Sequence, residues 1–411
     1  MCPAAFGVPD NEYLFHPQKL QKTPLTFVLM AITRLTIEEF LALAKEHPVL
    51  DVRSPGEFAH AHIPDAHSLP LFTDEERKVV GTAYKQESQQ KAIKLGLDYF
   101  GVKMVKMVEE VEELIKVRGT KYEVRDQEDI VLRTSKIVLV HCWRGGMRSA
   151  GVAWLLDLYG FKVYTLVGGY KAYRKWVLEQ FEKDYPIRII GGFTGSGKTE
   201  VIHALARKGQ NTIDLERIAN HKGSAFGNLG QPEQPSQEMF ENLLAFELRK
   251  IVDKCEVLDT RSDVSHLTSH IFPPIWIEDE SQRIGEVNIP TSFFKTMRNK
   301  KVFFLNIPFE SRLDFIVQGY GKFEKEKLVN AIIRIKKRLG GLETQTAVSC
   351  LIDNKIRECF SVLLLYYDKF YLKSLHGRDN FSELFVKLDM ETVTEENAEA
   401  LLAFTKKEAA I

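Results

Sequence analysis

Apolar positions along the chain switch between helical and extended spacing, and that alternation sets the predicted elements. The stretch Thr36 to Glu39 (TIEE) has the capping-box pattern and opens a helix through Leu41 and Leu43. Pro48 to Val52 (PVLDV) then reads as a short buried strand. Residues 74–130 are charged and helix-favouring, with apolar spacing at Leu97, Phe100, Val105, Val108 and Leu114, and predict a helical insertion before the next strong strand. That strand, Lys136 to Val140, ends at His141 and Cys142, and a helix from Ala150 to Leu158 closes at Gly160. Another strand, Lys162 to Val167, runs into Gly168, Gly169 and an aromatic helix through Trp176. Strand, loop and helix in repetition imply a parallel sheet.

A second α/β unit begins near Asp184, Tyr185 and Pro186, where the strand Ile187 to Ile190 leads into a glycine-rich turn and a helix to Gly209. Three strand ends rich in carboxylates are expected beyond it, at Thr212 to Glu216, Val257 to Asp259 and Ile275 to Glu280. The last ninety or so residues read as mainly helical, with Phe360 to Leu372 nearly all apolar or aromatic. The expected division is an N-terminal extension over 1–30, a first domain over 31–183 carrying the insertion, and a second domain over 184–411.

Length agrees with two globular units, since 411 residues exceed one ordinary core, and 44% hydrophobic with 27% charged residues excludes a largely disordered chain. Lysine plus arginine balances aspartate plus glutamate at 56 each, so no global field marks a nucleic acid or a membrane, and any polyanion must be met by local patches. Basic clusters stand at Lys295, Arg298, Lys300 and Lys301, and at Arg334, Lys336, Lys337 and Arg338 ahead of Gly340 and Gly341; each suits either RNA phosphates or a solvated helix face. Five scattered cysteines without CxxC spacing fit a reducing cytoplasm better than a disulfide framework or a zinc site. The run Phe27 to Ile32 is too short for a membrane span and lacks the basic flank of a signal peptide.

Candidate chemistry concentrates in two loops. His141 to Ser149 (HCWRGGMRS) places a thiol after a strand and arginines before a helix, with glycines that let backbone N–H groups converge. Such amides form an anion nest that favours the thiolate of Cys142 and an oxyanion beside it. Arg148 can then grip that anion, with Arg144 adding charge and Ser149 donating to the sulfur. A small buried cysteine is the plain alternative, but a core loop has no use for two glycines and two arginines. Gly192 to Thr199 (GFTGSGKT) satisfies GxxxxGK[ST] between a strand and a helix. The amides from Gly195 through Ser196 and Gly197 to Lys198 would cradle a diphosphate, Lys198 would neutralise it, and Thr199 with Asp214 would hold Mg²⁺ if the ion takes part. Asp214 suits a helix cap equally well.

The segment Asp51 to Ala66 (DVRSPGEFAHAHIPDA), the cysteine loop and Leu166 to Tyr170 (LVGGY) together resemble the rhodanese family across the first domain. That resemblance implies that Asp51 and Arg53 buttress the loop, against the alternative of a surface ion pair with Glu57. The five residues between Cys142 and Arg148 match the HCxxxxxR spacing of Cdc25-like phosphatases, a ring wide enough for a tetrahedral, phosphate-like anion.

Fused in this order, the two modules resemble the tRNA 2-selenouridine synthase family over roughly residues 31–390. Further strings carry the likeness: Gly81 to Lys85 with Ser88 and Gln89, Ile213 to Glu216, Ala219 to Gly227, Glu278 to Gly285, and Arg338 to Gly341. The resemblance implies a rhodanese-like parallel-sheet domain followed by a P-loop NTPase-like α/β domain with a helical C-terminal part. It implies replacement of sulfur by selenium in a wobble 2-thiouridine of tRNA, with selenophosphate as donor, by way of an S-geranylated intermediate made from geranyl diphosphate. The expected partners are that tRNA and the enzyme supplying selenophosphate, with no tightly bound cofactor. Asp51, Cys142, Arg144, Arg148 and Ser149 would serve the selenium step, Gly192 to Thr199 the diphosphate, and His221, Glu278 and Arg283 a neighbouring second site. Departures from the family pattern are the leader and a longer stretch around Cys255 to Ile271. Two other readings stay open, a phosphatase and a sulfurtransferase, each with a nucleotide-binding regulatory domain.

Overall fold

The computed structural model describes residues 32–119, 136–259, 273–378 and 381–409. The proposed extension over 1–30, the end of the insertion up to 130, and most of the stretch after Cys255 lie outside the described residues.

The first sheet is built in chain order from β1 (Thr33–Leu35), α1 (Ile37–Leu43), β2 (Val49–Asp51), α2 (Pro55–His60) and β3 (His67–Ser68). The expected insertion follows as three helices, α3 (Asp74–Gln86), α4 (Gln89–Gly101) and α5 (Met104–Gly119). The chain then continues through β4 (Ile137–His141), α6 (Met147–Tyr159), β5 (Lys162–Leu166) and α7 (Gly169–Gln180). All strands pair in parallel in the order β1-β5-β4-β2-β3. Thr36 closes the capping box with Glu39, so α1 starts where the sequence signal lies. Gly160 ends α6 at φ 104.

The second sheet follows from β6 (Ile187–Gly192), α8 (Lys198–Arg207), β7 (Asn211–Ile213), α9 (Leu215–Ala219), α10 (Gln237–Asp259) and β8 (Ile275–Glu278). A short antiparallel ribbon, β9 (Arg283–Ile284) with β10 (Val287–Asn288), precedes α11 (Thr291–Arg298) and β11 (Val302–Asn306). The C-terminal part comprises α12 (Phe309–Tyr320), α13 (Lys325–Arg334), α14 (Lys336–Leu339), α15 (Gly341–Ile352), α16 (Ile356–His376), α17 (Phe381–Leu384), β12 (Phe385–Asp389) and α18 (Asn397–Ala409). This sheet is also wholly parallel, in the order β12-β11-β6-β8-β7. Its central strand β6 delivers the glycine-rich turn at its carboxyl end, where open α/β sheets bind ligands.

Two expectations are corrected. Val257 to Asp259 is the last turn of α10 and not a strand end, because buried Phe240, Leu244, Leu248 and Ile251 keep helical period up to it. The mainly helical tail also contains β12, an edge strand paired with β11 from Val302↔Phe385 to Asn306↔Asp389. Only that distant partner makes the segment extended.

One apolar core joins the two sheets. Tyr170, Tyr173, Trp176 and Val177 of α7 share it with Phe240, Leu244, Ala245 and Leu248 of α10. Burying such side chains is worth roughly 1.5–3 kcal/mol each, so this seam holds the cysteine half and the P-loop half in fixed relation. Of the seam's buried polar side chains, Tyr173 Oη has no hydrogen-bond partner among the described residues, whereas Asn242 is fully engaged. Asn242, fully buried, donates to His62 O and to Tyr170 Oη, each at 2.8 Å, and accepts from Arg174 at 2.6 Å.

Candidate active site

β4 stops at His141 because the chain must turn sharply over the end of the sheet, and Cys142 sits buried at the base of that turn. A second glycine turn, at the start of α7, locks the loop from behind. Tyr170 N donates to Cys142 O at 2.8 Å and Lys171 N to Trp143 O at 3.0 Å. The two backbones are so close that a Cβ on Gly169 (φ 59) would stand 2.3 Å from Cys142 O, and one on Gly145 (φ 64) would stand 2.5 Å from Leu166 O. The glycines of LVGGY and of the cysteine loop are thus two sides of one contact.

The Cys142 sulfur lies 3.3 Å from Ser149 Oγ, on the first turn of α6. Burial opposes ionisation of the thiol; the Ser149 hydroxyl, the amides of Ser149 and Gly146 and the Arg148 charge outweigh it and hold its pKa below the ordinary value. Arg148 Nη1 is meanwhile tied to Glu57 Oε2 at 2.9 Å, and Arg77 Nε reaches the same oxygen at 2.8 Å. Burial raises the Glu57 carboxyl, but the charges of Arg148 and Arg77 and bonding from Arg148 and Ser54 keep it low and ionised. Arg148 is therefore held by the acid that the alternative reading of the sequence had set against Arg53. Arg144 is exposed on the outer side of the loop.

Asp51 and Arg53 are buried behind the site. The β2–β4 register sets Asp51 against His141. Arg53 Nη2 reaches Asp51 Oδ2 at 2.6 Å and Ala61 O at 2.7 Å, and its guanidinium lies 3.7 Å from the centre of the Tyr170 ring. Arg53 thus pairs with Asp51, and Glu57 pairs with Arg77 and Arg148 instead of Arg53 among the described residues. Asp51 is engaged by Arg53 and faces His141, and no hydrogen bond joins it to the sulfur among the described residues. Burial holds His141 neutral, with its ring 3.7 Å from Asp51 and outside hydrogen-bond reach. His60 is exposed, and His62 is bonded to Phe58 O at 2.9 Å.

Gly192, Gly195, Ser196 and Gly197 form the turn from β6 into α8, and Gly197 caps that helix. Lys198 Nζ donates to Gly192 O at 3.1 Å, inside the turn it would serve for phosphate. Ser196 Oγ is buried with no hydrogen-bond partner among the described residues. Tyr371 of α16 braces the turn, accepting from Gly192 N at 3.2 Å and donating to Asp279 Oδ2 at 2.7 Å. The carboxylate on Thr199 is Glu216, at 3.0 Å, and not Asp214. Asp214 caps α9 through Arg217 N at 2.8 Å and binds His203 at 2.7 Å, so both its oxygens are engaged.

Carboxyls crowd the neighbouring strand end. Glu278, fully buried, accepts from Glu216 N at 3.2 Å, while its other oxygen has no partner. Burial, with the charges of Asp214 and Glu216, raises Glu278 well above the usual carboxylate range. Burial and the Glu216 charge push Glu280 up to about 8, with Lys198 pulling the other way. These acids can hold protons near neutrality, which removes repulsion for an incoming anion. His221 is buried, its ring packed where a Cβ on Gly227 or Gly285 would fall. Arg283 is exposed on β9 and bonded to Gly285 O at 2.8 Å. Glu278 thus joins the P-loop acids, whereas Arg283 makes no contact with them. Sequence reading missed Glu216 as the Thr199 partner, although Glu216 lies in the carboxylate-rich strand end predicted at Thr212 to Glu216. Tyr371, 179 residues away from Gly192, left no local signal.

Among the described residues no group of three or more His, Cys, Asp or Glu side chains is arranged to hold a metal ion, and no helix is long and apolar enough to cross a membrane.

Two family models match parts of the chain. A family model described as the tRNA 2-selenouridine synthase AAA domain matches residues 185–401, and one for a rhodanese-like domain matches residues 36–175. The chain is similar to the tRNA 2-selenouridine synthase of Hydrogenovibrio crunogenus, 32% identical over 358 residues, which cover 80% of this chain and 89% of that protein. It is similar to that of Nitrosomonas europaea at 34% identity, covering 69% and 66%. The protein of the same name from Nitrosomonas eutropha is 30% identical, covering 83% and 92%.

Proposed function

The chain belongs to the family of tRNA 2-selenouridine synthases, and from that premise we propose that it exchanges sulfur for selenium in a wobble 2-thiouridine through an S-geranylated intermediate. The observation that carries this reading is the pairing, in one compact unit, of a thiol whose ionisation is favoured in an arginine-bearing loop with a phosphate-type turn. A tRNA-modifying enzyme that uses two different phosphorylated donors needs two anion sites of this kind.

The turn Gly192 to Thr199 binds geranyl diphosphate. Loop amides and Lys198 take up charge as the C1–O bond breaks and diphosphate leaves, while the thiocarbonyl sulfur of the base attacks C1. Thr199 and Glu216 offer two hard oxygens close together, which suits Mg²⁺ carried in on the diphosphate, since that ion keeps few protein ligands and completes its shell with phosphate and water. The ion would supply further neutralisation of the leaving diphosphate.

Selenophosphate occupies the cysteine loop, its oxygens on the amides and Arg148. Attack of the Cys142 thiolate on phosphorus breaks the P–Se bond, and selenide leaves to add at C2 of the alkylated base. Collapse of that adduct expels geranyl thiolate, a better leaving group than sulfide, and water then releases phosphate from the cysteine.

The test supplies the full chain with 2-thiouridine tRNA, geranyl diphosphate and selenophosphate, then reads nucleosides by mass spectrometry. Selenonucleoside is expected from the native chain, S-geranyl nucleoside alone from Cys142→Ala, and neither from Lys198→Ala. Folded native protein that yields no modified nucleoside sinks the reading.

A further inference from the structure

We propose that the groove between α14–α15 and α16 is a docking surface for single-stranded nucleotides of RNA. A groove of about 600 Å³ opens there, lined by Arg338, Leu342, Tyr366, Lys369, Phe370 and Lys373 among others.

Its chemistry is that of a stacking platform with a cationic rim. Phe370 is 52% exposed and Leu342 73%, in a region whose other face forms a hydrophobic core. Tyr366 and Phe370 stack with ring centroids 6.3 Å apart, and the Arg338 guanidinium stands 6.0 Å from the Phe370 ring. Positions 366, 369, 370 and 373 share one face of α16, so two rings and two lysines run along a single stripe. Bases stack on such rings whatever their identity, while the cations follow the backbone phosphates.

Charge separates this face from the other basic cluster. Lys300 pairs with Asp184 at 2.6 Å and Lys301 with Glu408, so those two members of that cluster are engaged within the protein. Arg334 is likewise used, holding Ala225 O and Asn228. Lys336, Lys337, Arg338, Lys369 and Lys373 meet no carboxylate among the described residues. Glu343, the one acid on the groove wall, folds back beside Gly340 at the start of its own helix. Three of these cations, Arg338, Lys369 and Lys373, line the groove beside the aromatic stripe; unpaired cations on flat rings call for a polyanion with flat faces, and neither a protein helix nor an isoprenoid tail needs both.

Position supports the same occupant. Tyr371, next along α16 from Phe370, is the residue that braces Gly192 in the P-loop. An RNA seated on the stripe lies on the helix that also supports the proposed diphosphate site. The inference rests on the tRNA reading above, but its test does not depend on catalysis.

Fluorescence anisotropy with labelled, unmodified tRNA and the full chain provides that test. Two variants are compared with the native chain and with Lys300→Ala: R338E/K369E/K373E, and Phe370→Ala. The triple variant should bind at least tenfold more weakly, with the log–log salt slope reduced by about 2, at roughly 0.7 per lost phosphate contact. Phe370→Ala should weaken binding severalfold with the salt slope unchanged, and Lys300→Ala should bind as the native chain does. Circular dichroism and thermal melts confirm that the exposed changes leave the fold intact, and R338A/K369A/K373A repeats the test without reversed charges. Native-like tRNA affinity in folded groove variants overturns the proposal, as does a native chain that binds no tRNA or a groove whose variants lose only geranyl diphosphate. Native binding that depends on the groove but yields no modified nucleoside upholds the groove and counts against the proposed chemistry alone.

Discussion

The Cys142 sulfur and the Ser149 hydroxyl oxygen stand 3.3 Å apart, and the same hydroxyl reaches Gly146 O at 3.1 Å. One hydroxyl proton serves both acceptors in turn. With a neutral thiol it goes to Gly146 O and the S–H points at Ser149; on ionisation it swings to the sulfur. Ser149→Ala removes that response. Iodoacetamide labelling of Cys142 near pH 7, followed by peptide mass spectrometry, should slow on the order of tenfold, in line with the ~1.5–3 kcal/mol of a hydrogen bond to a charged group. The labelling profile should also move to higher pH.

Removing Arg53 leaves the fully buried Asp51 charge without its partner. Arg53→Ala should cost about 3–5 kcal/mol in denaturant unfolding. Adding Asp51→Asn should recover part of that loss, because the stranded charge is gone. Arg53→Lys should recover less, since it cannot reproduce the fork to Asp51, the bond to Ala61 and the stacking on Tyr170.

Gly169→Ala pushes a methyl group into Cys142 O and Gly145 N at a left-handed backbone position. Stability should fall by at least about 1 kcal/mol. Thiol labelling should slow as well, because the bond from Tyr170 N that fixes the cysteine loop is displaced. Gly146→Ala is the control: its Cβ meets nothing within 4 Å, and labelling should change little.

Glu280 tests the acid cluster through pH. Burial and the Glu216 charge raise its pKa from 4.5 to about 8 in the folded state, so between those values the native protein holds a proton that the unfolded chain has released. Stability contributed by this group is present below pH 4.5 and is lost as pH rises through about 8. Denaturant midpoints measured from pH 5 to 8.5 should decline less for Glu280→Gln than for the native chain. Equal declines would mean that Glu280 is ionised throughout.

Much of the site was legible in the sequence because its chemistry is local. A strand followed by HCWRGGMR or by GFTGSGKT dictates an anion-binding turn through glycine conformations and helix-start amides contained in a few consecutive residues. The capping box at Thr36, the strand at Val49–Asp51 and the parallel order of elements followed from the same short-range rules. Only the tertiary structure decided which distant groups complete those turns. It gave Arg148 to Glu57, Thr199 to Glu216 and Gly192 to Tyr371, and it turned Asp214 toward His203. It also made Val257 to Asp259 helical and Phe385–Asp389 a strand. Those outcomes depend on which face of a helix is buried and which edge of a sheet stands open, and both are set by chain tens to hundreds of residues away. The opening pair, Cys142 and Ser149, could be read locally because they stand seven positions apart across one loop and the start of α6. The glycine contact that holds their loop in place could not, since it needed two turns of the sheet to meet.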